Sequence, residues 1–265
     1  MNIKRFLSGI VLFPIFALIL IFGNSYVVDI FISIVAIMIL HEFYKAFQGK
    51  ANPIRWVEYV TALLICFMPF IPGEYILPGI TLLILMNLLV LFAQIIITNM
   101  KYNINDIAIS MLGVCYIVFF LMFVPLIRDH LENGHILIWY VFFAAWGTDI
   151  FAYLIGRKFG KHKFTEISPN KSTEGCAAGI VGALLLCLIY TYICNFIWGL
   201  GIDYFFIGGI AIFLSVISQI GDLAASSVKR YCEIKDFSNL IPGHGGILDR
   251  IDSVIFILPF AYFLL

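Results

Sequence analysis

The sequence predicts an all-α polytopic membrane protein, a transmembrane bundle of about nine helices. Two observations carry this prediction. Of the 265 residues, 62% are hydrophobic and only 12% are charged, and apolar runs of about twenty residues recur almost from end to end. Soluble domains are about half apolar and a quarter charged, so a water-soluble globule is excluded. Disordered chains, disulfide-rich secreted modules and outer-membrane barrels, whose strands alternate apolar and polar residues, also fit badly.

Each predicted span is one apolar run. The runs cover residues 6–22, 26–44, 57–72, 76–98, 106–126, 135–155, 176–198, 204–224 and 251–265. The third is short and carries Glu58. The first resembles a signal peptide, but no small-residue cleavage site follows it and further spans come at once, so we expect a retained helix. We divide the chain into an N-terminal transmembrane region, 1–134, with about five spans, and a C-terminal region, 135–265, with about four.

Basic residues fall almost entirely on one side of this predicted bundle. With nine spans, every lysine and arginine except Arg128 lies at the N-terminus or in a loop after an even-numbered span. Cytoplasmic loops carry the excess of basic residues, so we place the N-terminus and these loops in the cytoplasm. The compact chain favours a bacterial plasma (inner) membrane. In the first half of the chain, the basic residues are explained by their role in setting membrane topology and by contact with anionic lipid head groups. The loops after the sixth and eighth spans are denser in polar residues.

The first dense polar region covers residues 146–175. Asp149 lies inside the sixth span, where an ionised carboxylate is costly. Arg157 follows on the same helical face, about 12 Å further along the axis. The loop beyond contributes hydroxyl and amine groups from Ser168, Lys171 and Ser172.

The eighth span repeats this arrangement. Asp222 is followed on its own helical face by Lys229 and Arg230. A single buried Asp is often a packing contact between helices. Two acids in matched positions, each below basic groups, favour a functional site instead.

The segment after Arg230 combines glycines with charged residues. Its turn at 242–246 can direct backbone N–H groups toward an anion, because glycine accepts the dihedral angles that such a nest requires. Two acids, Asp249 and Asp252, share a face where the last span begins, although either alone would serve as a partner of the helix dipole. The other candidates here are Lys235, Gly243, His244, Gly245, Gly246 and Arg250.

Carboxylates and basic groups together indicate a metal-assisted phosphate site. Mg²⁺ prefers oxygen ligands and commonly bridges protein carboxylates and substrate phosphates, while basic side chains and glycine-rich turns bind anions. An attacking phosphate is already ionised at neutral pH, so such a site needs no dedicated general base. A P-loop is excluded, because the run at 156–162 lacks both the four-residue glycine spacing and the Ser or Thr after the lysine.

These two regions resemble the phosphatidate cytidylyltransferase (CDP-diacylglycerol synthase) family. The run Ser226–Asp252 matches the family signature at its fixed positions, and the element from Asp149 to Gly175 is similar, with Ser172 where a threonine is more usual. The similarity covers roughly residues 146–253. The earlier residues match only as hydrophobic spans.

The resemblance implies transfer of CMP from CTP to phosphatidic acid, giving CDP-diacylglycerol and pyrophosphate for phospholipid biosynthesis. It also implies Mg²⁺ dependence and a homodimer. We further expect contact with membrane lipids, no nucleic-acid partner, and, from the distribution of basic residues, catalytic loops of the C-terminal region on the cytoplasmic face. The metal ligands would be acids, Asp222 and Asp249 first, then Asp149 and Asp252. Catalytic groups around the phosphates would be Lys229, Arg230, Lys235, His244 and Arg250. Substrate contacts would come from Arg157, Ser168, Lys171, Ser172, Gly243, Gly245 and Gly246.

Two other functions stay open on the sequence alone. Intramembrane acids also mark ion or proton paths in secondary transporters, although the polar residues here gather at one face and show no long internal repeat. A CTP-dependent kinase acting on a polyprenol or another lipid would instead transfer the terminal phosphate and release CDP.

Overall fold

The computed structural model describes residues 14–240 and 245–265. Within this described part the chain forms nine helices: α1 (14–22), α2 (Ser25–Ala46), α3 (Arg55–Leu63), α4 (Gly73–Ile97), α5 (Ile104–His130), α6 (Gly134–Phe159), α7 (Thr173–Trp198), α8 (Tyr204–Tyr231) and α9 (Leu248–Leu264). The described residues contain no β-strand, only an isolated antiparallel bridge between Lys163 and Ser172. The predicted all-α class is confirmed.

Six of these helices are long and apolar enough to cross a membrane, namely α2, α4, α5, α6, α7 and α8. Many large apolar side chains on them are exposed, and Phe205 on α8 is 94% exposed. Such surfaces are unfavourable in water and favourable against lipid chains. The prediction of a membrane-embedded helical protein is therefore confirmed in its coarse form, with six candidate spans among the described residues. The count of about nine spans stays a prediction.

The three remaining runs form no helix of comparable length within the described residues. The run at 57–72 divides into α3 and a 3₁₀ segment, Leu64–Phe70. The last helix, α9, has 17 residues, or about 26 Å at 1.5 Å per residue, which is less than the roughly 30 Å hydrocarbon core. The first predicted span, 6–22, begins outside the described residues.

Polar residues at their N-termini explain where several helices begin. Asn24, Asn103 and Ser172 each accept a hydrogen bond from a backbone N–H in the first turn of α2, α5 and α7 respectively. These bonds satisfy N–H groups that have no partner within the helix, a contribution of about 1 kcal/mol each. At the other end of α7, Gly199 adopts a left-handed conformation with φ of 64°, which glycine accepts without steric cost.

The chain forms two compact units. The first comprises the described residues of Met1–His130 and Cys232–Arg250, and the second comprises Leu131–Tyr231 and Ile251–Leu265. In the first unit, α2 is central: Phe43 and Tyr44 are fully buried, and the Tyr44 hydroxyl donates to the carbonyl of Ser110 on α5 at 2.8 Å. A Cβ on Gly113 would lie 2.5 Å from the Tyr44 ring, so this close packing requires glycine.

In the second unit, glycines allow α6 and α7 to approach at backbone distance. A Cβ on Gly147 would lie 2.8 Å from the Cα of Ala183, and one on Gly182 would overlap the Phe151 ring. Small residues at helix interfaces are typical of membrane proteins, in which close van der Waals packing drives helix association. This packing fixes α6, which carries Asp149, against the helix that follows the polar loop.

Candidate active site

Three of the four predicted metal ligands lie in the second unit, and we call Asp149, Asp222 and Asp252 the acidic cluster. They come from α6, α8 and α9 respectively. Asp149 Oδ2 accepts a hydrogen bond from the Ser253 hydroxyl at 3.1 Å, which ties α6 to α9. A Cβ on Gly221 would lie 3.0 Å from the carbonyl oxygen of Asp252, so glycine beside Asp222 lets α8 approach α9 closely.

Two lysines pair with this acidic cluster. Lys171 forms an ion pair with Asp222 Oδ2, and Lys229 Nζ lies 3.9 Å from Asp252 Oδ2. The side chains of Lys229 and Asp252 are only 14% and 11% exposed, so water screens their attraction weakly. The structure thus brings together, within one unit, acids and bases that are far apart in the sequence.

Backbone hydrogen bonds shape the loop that carries Lys171. The Phe164 N–H donates to the Lys171 carbonyl at 2.9 Å, and the Thr173 N–H donates to the His162 carbonyl at 3.0 Å. Glu174 accepts a 2.7 Å hydrogen bond from His162 Nδ1. These contacts close the loop at its base and position Lys171.

The catalytic candidate Arg230 and the substrate candidates Ser168 and Arg157 also belong to the second unit. Arg230 Nε donates to the carbonyl of Ile167 at 3.3 Å, and the Lys171 N–H donates to the Ser168 carbonyl at 3.0 Å. Arg157 on α6 donates to the Tyr153 hydroxyl at 3.1 Å.

Ser172, which was predicted to contact substrate, also has a structural role. Its hydroxyl oxygen accepts from the Gly175 N–H at 3.1 Å and caps α7. A Cβ on Gly160 would lie 2.5 Å from this oxygen. Helix capping therefore accounts for the hydroxyl at this position.

Asp249 lies in the first unit, in the first turn of α9. Its Oδ2 accepts hydrogen bonds from the Phe237 N–H at 2.8 Å and the Gly246 N–H at 2.9 Å. The Gly246 amide, expected to face a phosphate, is therefore used by a carboxylate of the chain itself. Gly245 adopts φ of 85°, the unusual conformation expected of this turn.

Of the remaining predicted residues of this segment, two lie among the described residues and two do not. Lys235 lies between α8 and α9, and Arg250 lies in the first turn of α9. Gly243 and His244 lie outside the described residues, so their predicted contacts to the triphosphate stay predictions.

Glu42 also contacts the segment that carries Asp249, a contact that the sequence did not indicate. It lies on α2, is 3% exposed, and accepts hydrogen bonds from the Ser238 hydroxyl at 2.5 Å and from the N–H groups of Ile247 at 3.1 Å and Leu248 at 3.0 Å. The only local signal was an acid at the end of an apolar run. Its partners are up to 206 residues away, beyond the reach of any periodic pattern.

Oxygen ligands for a cation are present in the second unit as side chains on separate helices. Among the described residues, no group of three or more His, Cys, Asp or Glu side chains is placed to hold a metal ion by itself. A cation here would therefore take part of its coordination from other ligands, as Mg²⁺ does when it binds one or two carboxylates together with phosphates and water.

Comparison with known proteins agrees with the family resemblance seen in the sequence. A model of the cytidylyltransferase family matches residues 3–265. A phosphatidate cytidylyltransferase of Bacillus subtilis (strain 168) is 38% identical over 209 residues, covering 77% of this chain and 76% of that protein. Those of Staphylococcus aureus (strain COL) and Staphylococcus haemolyticus (strain JCSC1435) are each 33% identical and cover 98% of both chains.

These matches extend over the early spans, whose sequence pattern resembled the family only in hydrophobicity. The resemblance seen in the sequence is confirmed, and the chain belongs to the cytidylyltransferase family.

Proposed function

We propose that this protein transfers CMP from CTP to phosphatidic acid, giving CDP-diacylglycerol and pyrophosphate, in phospholipid biosynthesis. Relatives that align over 98% of both chains carry the name phosphatidate cytidylyltransferase. The observation that carries the proposal is the set of acid–lysine pairs in the second unit, Lys171–Asp222 and Lys229–Asp252. A transporter needs no such concentration of phosphate-binding charge at the ends of its helices.

The charges suit a reaction between two anions. The phosphate oxygen of the lipid attacks the α-phosphorus of CTP, a new P–O bond forms, and the bond from the α-phosphorus to the bridging oxygen of pyrophosphate breaks. The attacking phosphate is already ionised, so no side chain has to remove a proton. Lys171 and Lys229 supply positive charge that offsets repulsion between the reactants, which is the main contribution of the protein in such transfers.

We propose that Mg²⁺ is the cofactor and that Asp222 and Asp252 hold it. Their carboxylates fit a hard cation, and their helices meet where Gly221 permits close approach. Bound Mg²⁺ would neutralise charge on the triphosphate and on the departing pyrophosphate. Asp149, held by Ser253, is a further predicted ligand or supporting group, and Asp249 stays a predicted ligand.

Removal of divalent cations should abolish turnover. Purified protein in detergent is assayed for CDP-diacylglycerol formation after chelation with EDTA and again after Mg²⁺ is restored. We expect no product without the metal and full recovery with it. Ca²⁺ should restore much less activity, because its longer bonds and larger coordination number alter the alignment of the phosphates. Activity that persists after complete chelation would contradict the proposed cofactor.

We propose that about nine segments, the six long helices among them, cross a bacterial inner membrane with the N-terminus and the loops after α6 and α8 in the cytoplasm. The one-sided distribution of basic residues supports this orientation. Arg128, the exception, has a structural role, because its guanidinium donates to the carbonyls of Leu20, at 2.7 Å, and Gly23 at the end of α1. The homodimer and the bound lipids stay predictions from the family.

CTP labelled in the α-phosphate tests the proposed function against both alternatives. With phosphatidic acid as acceptor, we expect the label in lipid. A lipid kinase would leave the label in free CDP, and a transporter would leave CTP unchanged. Diacylglycerol, which has the same acyl chains but no phosphate, is the matched control and should accept no label. Label in free CDP, or none in lipid, would overturn the proposal.

A further inference from the structure

We propose that Glu42 is a positioning residue for CMP transfer. Its buried carboxylate ties Ser238 to the start of α9 and thereby fixes the backbone that carries Asp249 and Arg250. This inference rests on the proposed function, because the reaction to be measured is CMP transfer.

The Glu42 carboxylate uses both of its oxygens on this segment. Oε1 accepts from the Ser238 hydroxyl and the Ile247 N–H, and Oε2 accepts from the Leu248 N–H. The first N–H groups of a helix have no partner within it, and negative charge is favourable there. Glu42 therefore caps α9 from a different helix, which fixes where α9 begins.

Asp249 holds the same backbone as Glu42. Its Oδ2 accepts from the N–H groups of Phe237 and Gly246. Each of the two carboxylates thus bridges the stretch 237–238 to the stretch 246–248. Loss of Glu42 removes half of this bridge, and the remaining half is the side chain of Asp249 itself. A shift there would move a predicted metal ligand.

The glycine at 246 leaves room for the Glu42 carboxylate. A Cβ at this position would lie 2.5 Å from Glu42 Oε2 and 2.9 Å from its Cδ. Because Glu42 is buried, its carboxylate cannot withdraw without losing its bonds. Glycine at 246 is therefore explained by the approach of Glu42, which is a tighter constraint than an open phosphate nest would impose.

Substitution Glu42→Gln tests the proposal with almost no change in volume. The NH₂ group of glutamine cannot accept a hydrogen bond, so in either orientation of the amide it faces the N–H of Ile247 or of Leu248. We expect kcat to fall by about tenfold or more, equivalent to one poorly satisfied buried donor, while the KM values for CTP and phosphatidic acid stay unchanged because Glu42 bonds the chain rather than substrate. Ser238→Ala removes one of the three bonds and should give a smaller loss of the same kind.

Glu58→Gln is the matched control. Glu58 is another fully buried acid of the first unit, but it accepts from Asn87 Nδ2 on α4 at 2.8 Å. The Glu58→Gln protein should retain the kcat of the original protein. A Glu42→Gln protein that keeps full kcat per folded molecule and loses only thermal stability would show a purely structural role and overturn the proposal.

A double-mutant cycle with Gly246→Ala provides a second measurement. In the original protein the methyl group added by Gly246→Ala meets the Glu42 carboxylate, whereas in the Glu42→Ala protein it has space. Gly246→Ala should therefore lower kcat and thermal stability much less in the Glu42→Ala protein than in the original protein. Additive effects would overturn the proposed contact.

An original protein unable to make CDP-diacylglycerol would overturn the proposed function together with this inference. An active original protein with an unaffected Glu42→Gln variant would overturn this inference alone.

Discussion

Substitution Asp222→Asn should lower CDP-diacylglycerol formation by about 10²–10³-fold, the size of effect seen when one electrostatic contact to a reacting group is removed. The change keeps the shape of the side chain and removes its charge. It takes away a proposed Mg²⁺ ligand and leaves Lys171 without the carboxylate it pairs with. Both side chains of this pair are about a quarter exposed, so the fold should survive. Activity is measured with α-labelled CTP, and folding by thermal unfolding in detergent.

The matched control is Glu233→Gln. Glu233 forms a 2.9 Å ion pair with Lys50, and its side chain is 83% exposed. The hydrogen bond and charge of Lys50 hold the pKa of the Glu233 carboxyl below its ordinary value, so this residue is ionised at neutral pH and the control also removes a full charge. It should leave CMP transfer unchanged. Near-normal turnover by Asp222→Asn, at limiting as well as saturating Mg²⁺, would remove Asp222 from the proposed metal site.

Hydrophobicity predicted the helical membrane class and the approximate positions of six spans, because a long apolar run has few alternatives in lipid. It did not predict that the run at 57–72 divides at Leu64. Hydropathy measures how favourable burial in lipid is, whereas the change from α-helix to 3₁₀ geometry depends on local backbone packing. Composition alone could not distinguish these two outcomes.

For the candidate site, periodicity placed Asp149 and Asp222 on their own helices, and no periodic pattern could show that Ser253 would bond Asp149. The likeness to a known family supplied the function. The capping role of Ser172 could have been predicted from the sequence, because a Ser at the start of an apolar run is a familiar capping signal. The role of Glu42 was not available in this way, because its bonds depend on tertiary structure.

The Lys229–Asp252 pair should contribute to both stability and activity. Substitution Lys229→Met keeps an apolar stem of similar length and removes the ammonium group. It leaves Asp252, whose side chain is 11% exposed, facing no cation at this position. Removing one partner of a buried ion pair is destabilising, so the thermal midpoint should fall. CMP transfer should fall by about 10²-fold or more, because the variant also loses the positive charge that we propose for neutralising the phosphates. Lys229→Arg, which keeps the charge, should retain much of the stability.

The double variant Lys229→Met/Asp252→Asn separates the two effects. Neutralising both partners removes the unpaired buried charge, so stability should return toward that of the original protein. Activity should not return, because in the proposed mechanism Lys229 neutralises the phosphates and Asp252 holds Mg²⁺, and the double variant lacks both groups. If the double variant regained CMP transfer along with stability, Lys229 and Asp252 would be partners in folding only, and the phosphate-binding charge would have to be sought elsewhere in the second unit.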